Sequence, residues 1–255
     1  MDRIKFGTDG WRGVMGEDFT FANVRRVAAA VAQYVRTEGR PSRGLVIGYD
    51  TRFLSAEFAR AAAEVVASAG IRVILAGQPT PTPAVSFAVV TRRAAGAIVI
   101  TASHNPYHWN GVKFKAPYGG SAAPAIVQRI EVCLHKLDKQ RGRAYRGSVA
   151  RLETVDMVSP YLARLKKLVR MERIRASDRQ FVIDPMFGAG QGCLARLFEE
   201  AGVDFQEIHA KRDPLFPGLN PEPIEPHVSD LRRAVLEGRY DAGFATDGDA
   251  DRLGA

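Results

Sequence analysis

Short apolar runs alternate with cap-delimited, alanine-rich segments from about residue 20 onward, and this order constrains the fold more than any other feature. The runs GLVIGYD (44–50), IRVILAG (71–77) and AAGAIVI (94–100) are apolar without a two-residue alternation. A strand with one wetted face shows that alternation. Continuous apolar runs of this length suit strands covered on both faces, as in a parallel sheet between helices. Between the runs lie three helical segments. FTFANVRRVAAAVAQYVRTEG (19–39) has a capping Thr20 and stops at Gly39. SAEFARAAAEVVASAG (55–70) starts on Ser and ends on Gly, and TPAVSFAVVTR (82–92) carries Pro in its first turn. These are start and stop signals of helices. The β-α-β-α-β order predicts an α/β/α unit with a mostly parallel sheet.

The order recurs in the second half. RQFVIDPMFGAG (179–190) is a strand ending in Asp184, as the first strand ends in Asp50. CLARLFEEAG (193–202) reads as a helix and VDFQEI (203–208) as a strand. After the Pro-rich loop FPGLNPEPIEP (216–226) comes a helix, VSDLRRAVLEG (228–238). YDAGFATDGDAD (240–251) then runs from a strand into a polar loop, as RAAGAIVITASHN (93–105) does. An internal duplication is therefore expected. Its boundary falls in the polar, Gly-containing KQRGRAYRGS (139–148), giving units 1–145 and 146–255. Ligands of open α/β sheets bind outside the carboxyl ends of strands. The two polar loops are expected to face each other across a cleft.

With 46% apolar and 25% charged residues in 255, the chain is long enough for two such units. The formal net charge of +8 favours anionic partners. The basic residues are scattered, and the densest stretch, ARLKKLVRMERIR (163–175), suits a helix with a solvated basic face. No aromatic-flanked basic motif points to nucleic acid. Cys133 and Cys193 have no short spacing, so neither a zinc site nor a disulfide framework is expected. No segment has the pattern of a signal peptide or the length of a membrane span. The expectation is a cytoplasmic chain with no membrane partner.

Three loops carry chemistry. In TDGDADR (246–252), Asp247, Asp249 and Asp251 alternate with Gly248 and Ala250. In an extended loop alternate residues point the same way, so the carboxylates converge into an oxygen-only set suited to Mg²⁺. Gly248 reads as a tight bend and Arg252 as a cation for a phosphate. The alternative is a plain acidic turn. In TASHNP (101–106), Ser103 lacks the G-x-S-x-G elbow, and the adjacent His104 is not placed as a triad histidine. A serine that carries a phosphoryl group fits better, with a cation at the aspartates neutralising the transferring group. Lys113 and His104 are candidates to assist electrostatically or to move the proton of the attacking hydroxyl. The alternative is a turn serine. KFGTDGWRG (5–13) is not a P-loop. It reads either as a loop presenting Thr8 and Arg12 to a phosphate or as a turn around a packed Trp11.

Taken together, FGTDGWRG, GYDTRFLS (48–55), TASHNP, NGVKFK and DGDADR, in this order, resemble the α-D-phosphohexomutases, from Phe6 to Arg252. The resemblance implies a phosphoserine at Ser103. It implies one Mg²⁺ held by Asp247, Asp249, Asp251 and an oxygen of the Ser103 phosphoester. Arg252 and His104 then lie near the phosphoserine, and Lys113 acts as general acid/base or its support. Arg12 joins the catalytic group, and Thr8, Arg12, Asn105 and Lys113 contact substrate. A phosphorylated hexose exchanges phosphate between C1 and C6 through a sugar 1,6-bisphosphate, which also serves as activator. Family members have four domains, and the sugar-recognising and phosphate-gripping patterns of the third and fourth do not occur in these residues. The resemblance therefore predicts the N-terminal catalytic half, with the second domain incomplete at its C-terminus and little turnover by the 255 residues alone. Phosphoglucomutase or phosphomannomutase is favoured over phosphoglucosamine mutase. Two readings stand beside it. One is a non-catalytic remnant that binds Mg²⁺ and phosphosugars. The other is a Mg²⁺-dependent phosphatase with an aspartate nucleophile in FATDGDAD, which leaves Ser103 without a role.

Overall fold

The computed structural model describes residues 4–7, 10–139 and 150–255. Thr8 lies outside the described residues, and so does most of the segment in which the 145/146 boundary is expected.

The first unit opens with β1 (Trp11–Val14) and α1 (Phe21–Thr37). Thr20 caps α1 as its sequence predicts, its hydroxyl accepting the Asn23 N–H at 3.2 Å. The helix buries Val24, Val27, Ala28, Val31 and Val35, the i, i+3, i+4, i+7 stripe of an amphipathic helix. β2 (Leu45–Tyr49), α2 (Ser55–Ser68), β3 (Val73–Ala76), α3 (Thr82–Thr91) and β4 (Ala97–Ile100) follow in the expected alternation. Every residue of β2, β3 and β4 is buried, which explains their continuous apolar runs.

The chain then departs from simple alternation. β5 (Trp109–Lys115) returns antiparallel to β4. The connection spans only residues 101–108, shorter than the dozen or so residues a parallel crossover needs. β1 adds antiparallel to β5 at the sheet edge, and its Trp11 stacks on Phe19 with ring centroids 5.0 Å apart. The segment read as a loop or turn is thus an edge strand from Trp11 onward. After α4 (Pro124–Lys139), β6 (Leu152–Val155) pairs parallel with β3. The first sheet therefore extends to Val155, in the order β1-β5-β4-β2-β3-β6.

β6 is followed by α5 (Val158–Leu168) and α6 (Met171–Ala176), two helices where the sequence predicts one. Their basic residues are exposed, while Val158 and Leu162 are buried. β7 (Phe181–Asp184), α7 (Cys193–Ala201), β8 (Phe205–Glu207), α8 (Ser229–Gly238), β9 (Ala242–Thr246) and β10 (Leu253–Gly254) complete the chain. β7 is parallel to β8 and β9, and β10 is antiparallel to β9. Both sheets are thus mixed but mostly parallel. A large core fills the first unit around α1, α2 and its sheet. Smaller clusters, around Val182 with Leu231 and around Ile183 with Phe198, serve the second. Cys133 and Cys193 are free thiols, and burial pushes the pKa of Cys193 up to about 11. Among the described residues, no helix is long and apolar enough to cross a membrane.

Candidate active site

The carboxyl ends of β4 and β9 meet, and the site is built from the loops that leave them. In the first loop the Ser103 N–H is bonded to Thr101 Oγ1 at 2.8 Å. Ser103 itself has φ +55°, left-handed and uncommon for a residue with a Cβ, and it is fully buried. Arg52, just past β2, reaches under this loop. Its Nη1 donates to the carbonyls of Pro106 (2.9 Å) and Trp109 (3.1 Å). Its Nη2 donates to those of Ser103 (2.7 Å) and Asn105 (2.6 Å). Its Nε pairs with Asp50 Oδ2 at 3.2 Å, and Asp50 Oδ1 accepts the Arg52 N–H and the Ser55 hydroxyl.

The second loop is a turn rather than an extended segment. Asp247 Oδ1 accepts the N–H groups of Asp251 (3.0 Å) and Arg252 (3.1 Å), and Ala250 takes φ +54°. The three carboxylates converge because the turn wraps around Asp247, and their nearest oxygens lie within 4.8 Å of one another. Gly248 serves close approach rather than bending: a Cβ there would lie 2.4 Å from the Ser103 carbonyl oxygen. Thr82, at the start of α3, braces the turn. Its N–H bonds the Asp249 carbonyl at 2.8 Å and its hydroxyl bonds Asp249 Oδ2 at 2.6 Å.

Where the loops meet, Ser103 Oγ donates to Asp247 Oδ2 at 2.8 Å. Lys113, on β5, places Nζ 2.8 Å from Asp249 Oδ2 and 3.0 Å from Asp251 Oδ2. Ser103, Lys113, Asp247, Asp249 and Asp251 thus form one cluster. His104 and Arg252 pair beside it, Arg252 Nη1 lying 2.8 Å from His104 Nδ1. His104 Nδ1 is 3.5 Å from Ser103 Oγ, and the serine hydroxyl is directed at a carboxylate. The arrangement is not that of a hydrolase triad. Arg12, on β1, donates to Asn105 Oδ1. Thr8 lies outside the described residues.

Charge in the cluster is unevenly held. Burial, and then the charge of Asp249, push Asp247 up to about 7. Burial opposes charge on Asp249 too, but the Lys113 ammonium and the bonds from Lys113 and Thr82 outweigh it and hold that carboxyl below its usual range. Burial first, then Arg252, pushes His104 down, so the imidazole favours its neutral form. Asp249 Oδ1 is buried and has no hydrogen-bond partner among the described residues. A buried carboxylate oxygen without a donor is costly, and a hard cation among oxygen ligands would relieve it. The residues fit a divalent ion such as Mg²⁺.

Arg52 and Thr82 escaped the sequence reading as site residues. The available signal was Asp-x-Arg directly after a buried strand in GYDTRFLS, which places a cation where a strand-end loop meets the core. Thr82 gave none beyond a helix start. A cavity of about 650 Å³ opens between the units, lined by Thr82, Asp251 and Arg252 and by the apolar Tyr161, Leu194 and Phe244.

Fold and site together define a class: two α/β units whose strand-end loops set a buried serine against three carboxylates. The chain belongs to the phosphoglucomutase/phosphomannomutase family. The α/β/α domain I of that family matches residues 3–141 and its α/β/α domain II residues 159–255. The chain is 33% identical over 247 residues to the phosphoglucomutase/phosphomannomutase of Thermococcus kodakarensis, covering 97% of this chain and 54% of that one. It is 36% identical over 259 residues to the phosphoglucosamine mutase of Thioalkalivibrio sulfidiphilus, covering 99% and 54%. A solved phosphomannomutase-type structure from Thermus thermophilus matches with a TM-score of 0.88 at 37% identity, covering 99% of this chain and 56% of that one. The chain spans about half the length of the curated relatives it matches.

Proposed function

We propose that this chain carries the phosphoryl-bearing serine and the cation site of a phosphohexomutase of the phosphoglucomutase/phosphomannomutase type. The observation that carries this reading is the 2.8 Å bond from Ser103 Oγ to Asp247 Oδ2, which brings the serine of one unit into the carboxylate cluster of the other. In this reading Ser103 is phosphorylated in the resting protein. A sugar hydroxyl attacks the phosphorus, the P–Oγ bond breaks, and the proton of the attacking hydroxyl passes to the general base. Lys113 is assigned that proton transfer from its neutral amine form, or, as the ammonium paired with Asp249 and Asp251, the support of the group that performs it. Arg252 and His104 hold the phosphoryl group at Ser103, with the neutral imidazole accepting from Arg252. Thr8, Arg12 and Asn105 bind the sugar phosphate. The other phosphoryl group of the resulting sugar 1,6-bisphosphate then returns to Ser103, moving phosphate between C1 and C6. Asp247, Asp249, Asp251 and the serine oxygen would hold one Mg²⁺, which supplies charge neutralisation for the transferring group.

The division into units 1–145 and 146–255 belongs to this proposal, with β6 as the strand that the later segment returns to the first sheet. So does a cytoplasmic location, in keeping with two unpaired cysteines. A phosphoglucosamine mutase is the second reading, favoured by the 36% identity to one such enzyme. An aspartyl phosphatase fits less well. Asp247 has Oδ1 engaged by two backbone N–H groups and Oδ2 by Ser103, and Asp249 is held by Lys113 and Thr82.

The test is intact mass after incubation with glucose 1,6-bisphosphate and Mg²⁺. Wild type freed of phosphate beforehand is expected to gain one phosphoryl group, stable as a serine ester and absent with EDTA. Ser103→Ala is expected to gain none. No gain by folded, unphosphorylated wild type overturns the reading.

A further inference from the structure

Arg52 is fully buried and is the bulkiest fully buried side chain among the described residues. A guanidinium taken out of water is tolerated only where its donors are met. Here the two terminal nitrogens meet four backbone carbonyls, those of Ser103, Asn105 and Pro106 in the loop that carries the serine and of Trp109 at the start of β5, while Nε faces the Asp50 carboxylate at 3.2 Å. None of these bonds goes to the Ser103 hydroxyl, to Lys113 or to the three carboxylates.

Two features show what the bonds hold. Ser103 sits at φ +55°, a conformation that persists only where its surroundings over-determine it. The Ser103 carbonyl, 2.7 Å from Arg52 Nη2, is also the atom against which Gly248 of the carboxylate turn packs. The orientation of that one peptide therefore sets both the serine and the seat of the opposing loop. Arg52 is also tied to the second unit. Its guanidinium lies 5.1 Å from the ring centroid of buried Phe216, and the neighbouring Thr51 hydroxyl donates to the Phe187 carbonyl at 2.8 Å.

We propose that Arg52 is the positioning residue for phosphoryl transfer at Ser103. Its planar fork fixes the serine peptide so that Oγ meets Asp247, and its place over the Phe216 ring links that geometry to the docking of the two units. The chemical part of this proposal rests on the function proposed above, and the geometric part does not. A lysine, a point charge with three donors, cannot bond four carbonyls in one plane.

The test is Arg52→Lys, with two measurements. Amide hydrogen exchange over residues 101–111 is expected to rise by about tenfold, with peptides of β2 and α1 unchanged. Phosphoryl uptake from glucose 1,6-bisphosphate with Mg²⁺ is expected to fall by roughly a hundredfold at saturation, with the half-saturating concentration within about twofold of wild type. A general loss of stability would not separate rate from affinity in this way. Wild-type exchange over 101–111, or a loss confined to affinity, overturns the proposal. If the wild type takes up no phosphoryl group, the proposed function falls, and the exchange measurement alone decides whether Arg52 holds the loop. If Arg52→Lys does not fold, Asp50→Asn is measured in the same way. It keeps Arg52 and removes the charge beside Nε, and a smaller shift of about threefold in both readouts is expected. No shift in Asp50→Asn overturns the proposal.

Discussion

The two oxygens of Asp249 are in different situations. Oδ2 receives the Thr82 hydroxyl at 2.6 Å and Lys113 Nζ at 2.8 Å, whereas Oδ1 is buried without a partner among the described residues. The bonds to Oδ2 orient the carboxylate and leave Oδ1 as the oxygen a cation would meet. Thr82→Val, nearly the same shape without the hydroxyl, is therefore expected to weaken Mg²⁺ binding by about ten- to a hundredfold in titration calorimetry. Unchanged affinity would mean that Lys113 alone aligns Asp249. At this scale the sequence shows residues whose chemistry is local. Ser103 and the aspartates stand out because polar residues follow apolar strands, and Lys113 through its place in NGVKFK. Arg52 and Thr82 do not, since their role exists only through partners 51–57 and 167 residues away. Gly248 was visible as a glycine, but its reason, an opposing carbonyl from another loop, was not.

Strands with continuous apolar runs were legible, and the mixed-pattern β5 was not. β5 holds Asn110, Lys113 and Lys115, all buried, so its sequence lacks the signature of a strand. Asn110 is buried because it bonds Gly111 N and Ser55, and Lys113 because the carboxylate turn lies over it. β1 escaped for a related reason: a four-residue edge strand beginning in a Gly-flanked loop shows no period. Elsewhere an element junction has a measurable pH signature. His209, just after β8, has its pKa raised by its hydrogen bond to Asp184 at the end of β7, against the opposing effect of burial. Asp230 of α8 also faces the ring, at 3.5 Å. A pKa raised on folding adds stability that is complete below the unfolded value near 6.5 and is lost as pH rises through the folded value. The stability difference between wild type and His209→Gln in urea unfolding is therefore expected to be larger at about pH 5.5 than at about pH 8.5. Equal differences at the two pH values would remove His209 as a link between β7 and β8.

Over the whole molecule, the two-unit plan and the meeting of strand-end loops follow from sheet topology, which is why both were readable before any contact was known. The interlocking of the loops was not readable, because it depends on side-chain-free approach at one glycine. Gly248→Ala tests this at the join. Each unit has its own core, so circular dichroism is expected to be unchanged. The added methyl would meet the Ser103 carbonyl and displace one loop from the other, and phosphoryl uptake is expected to fall by roughly a hundredfold. Uptake at the wild-type rate would show that the loops yield at this contact. The spans of chain that close the site differ greatly. The serine loop closes between the neighbouring strands β4 and β5, whereas the Ser103–Asp247 bond joins residues 144 apart. Loop-closure entropy grows with span, and local closures run ahead of distant ones. The serine loop is thus expected to be complete as soon as the first sheet forms, while the carboxylates reach it only at docking. The two halves of the site then have separate folding histories, and the bond between them marks the end of the second.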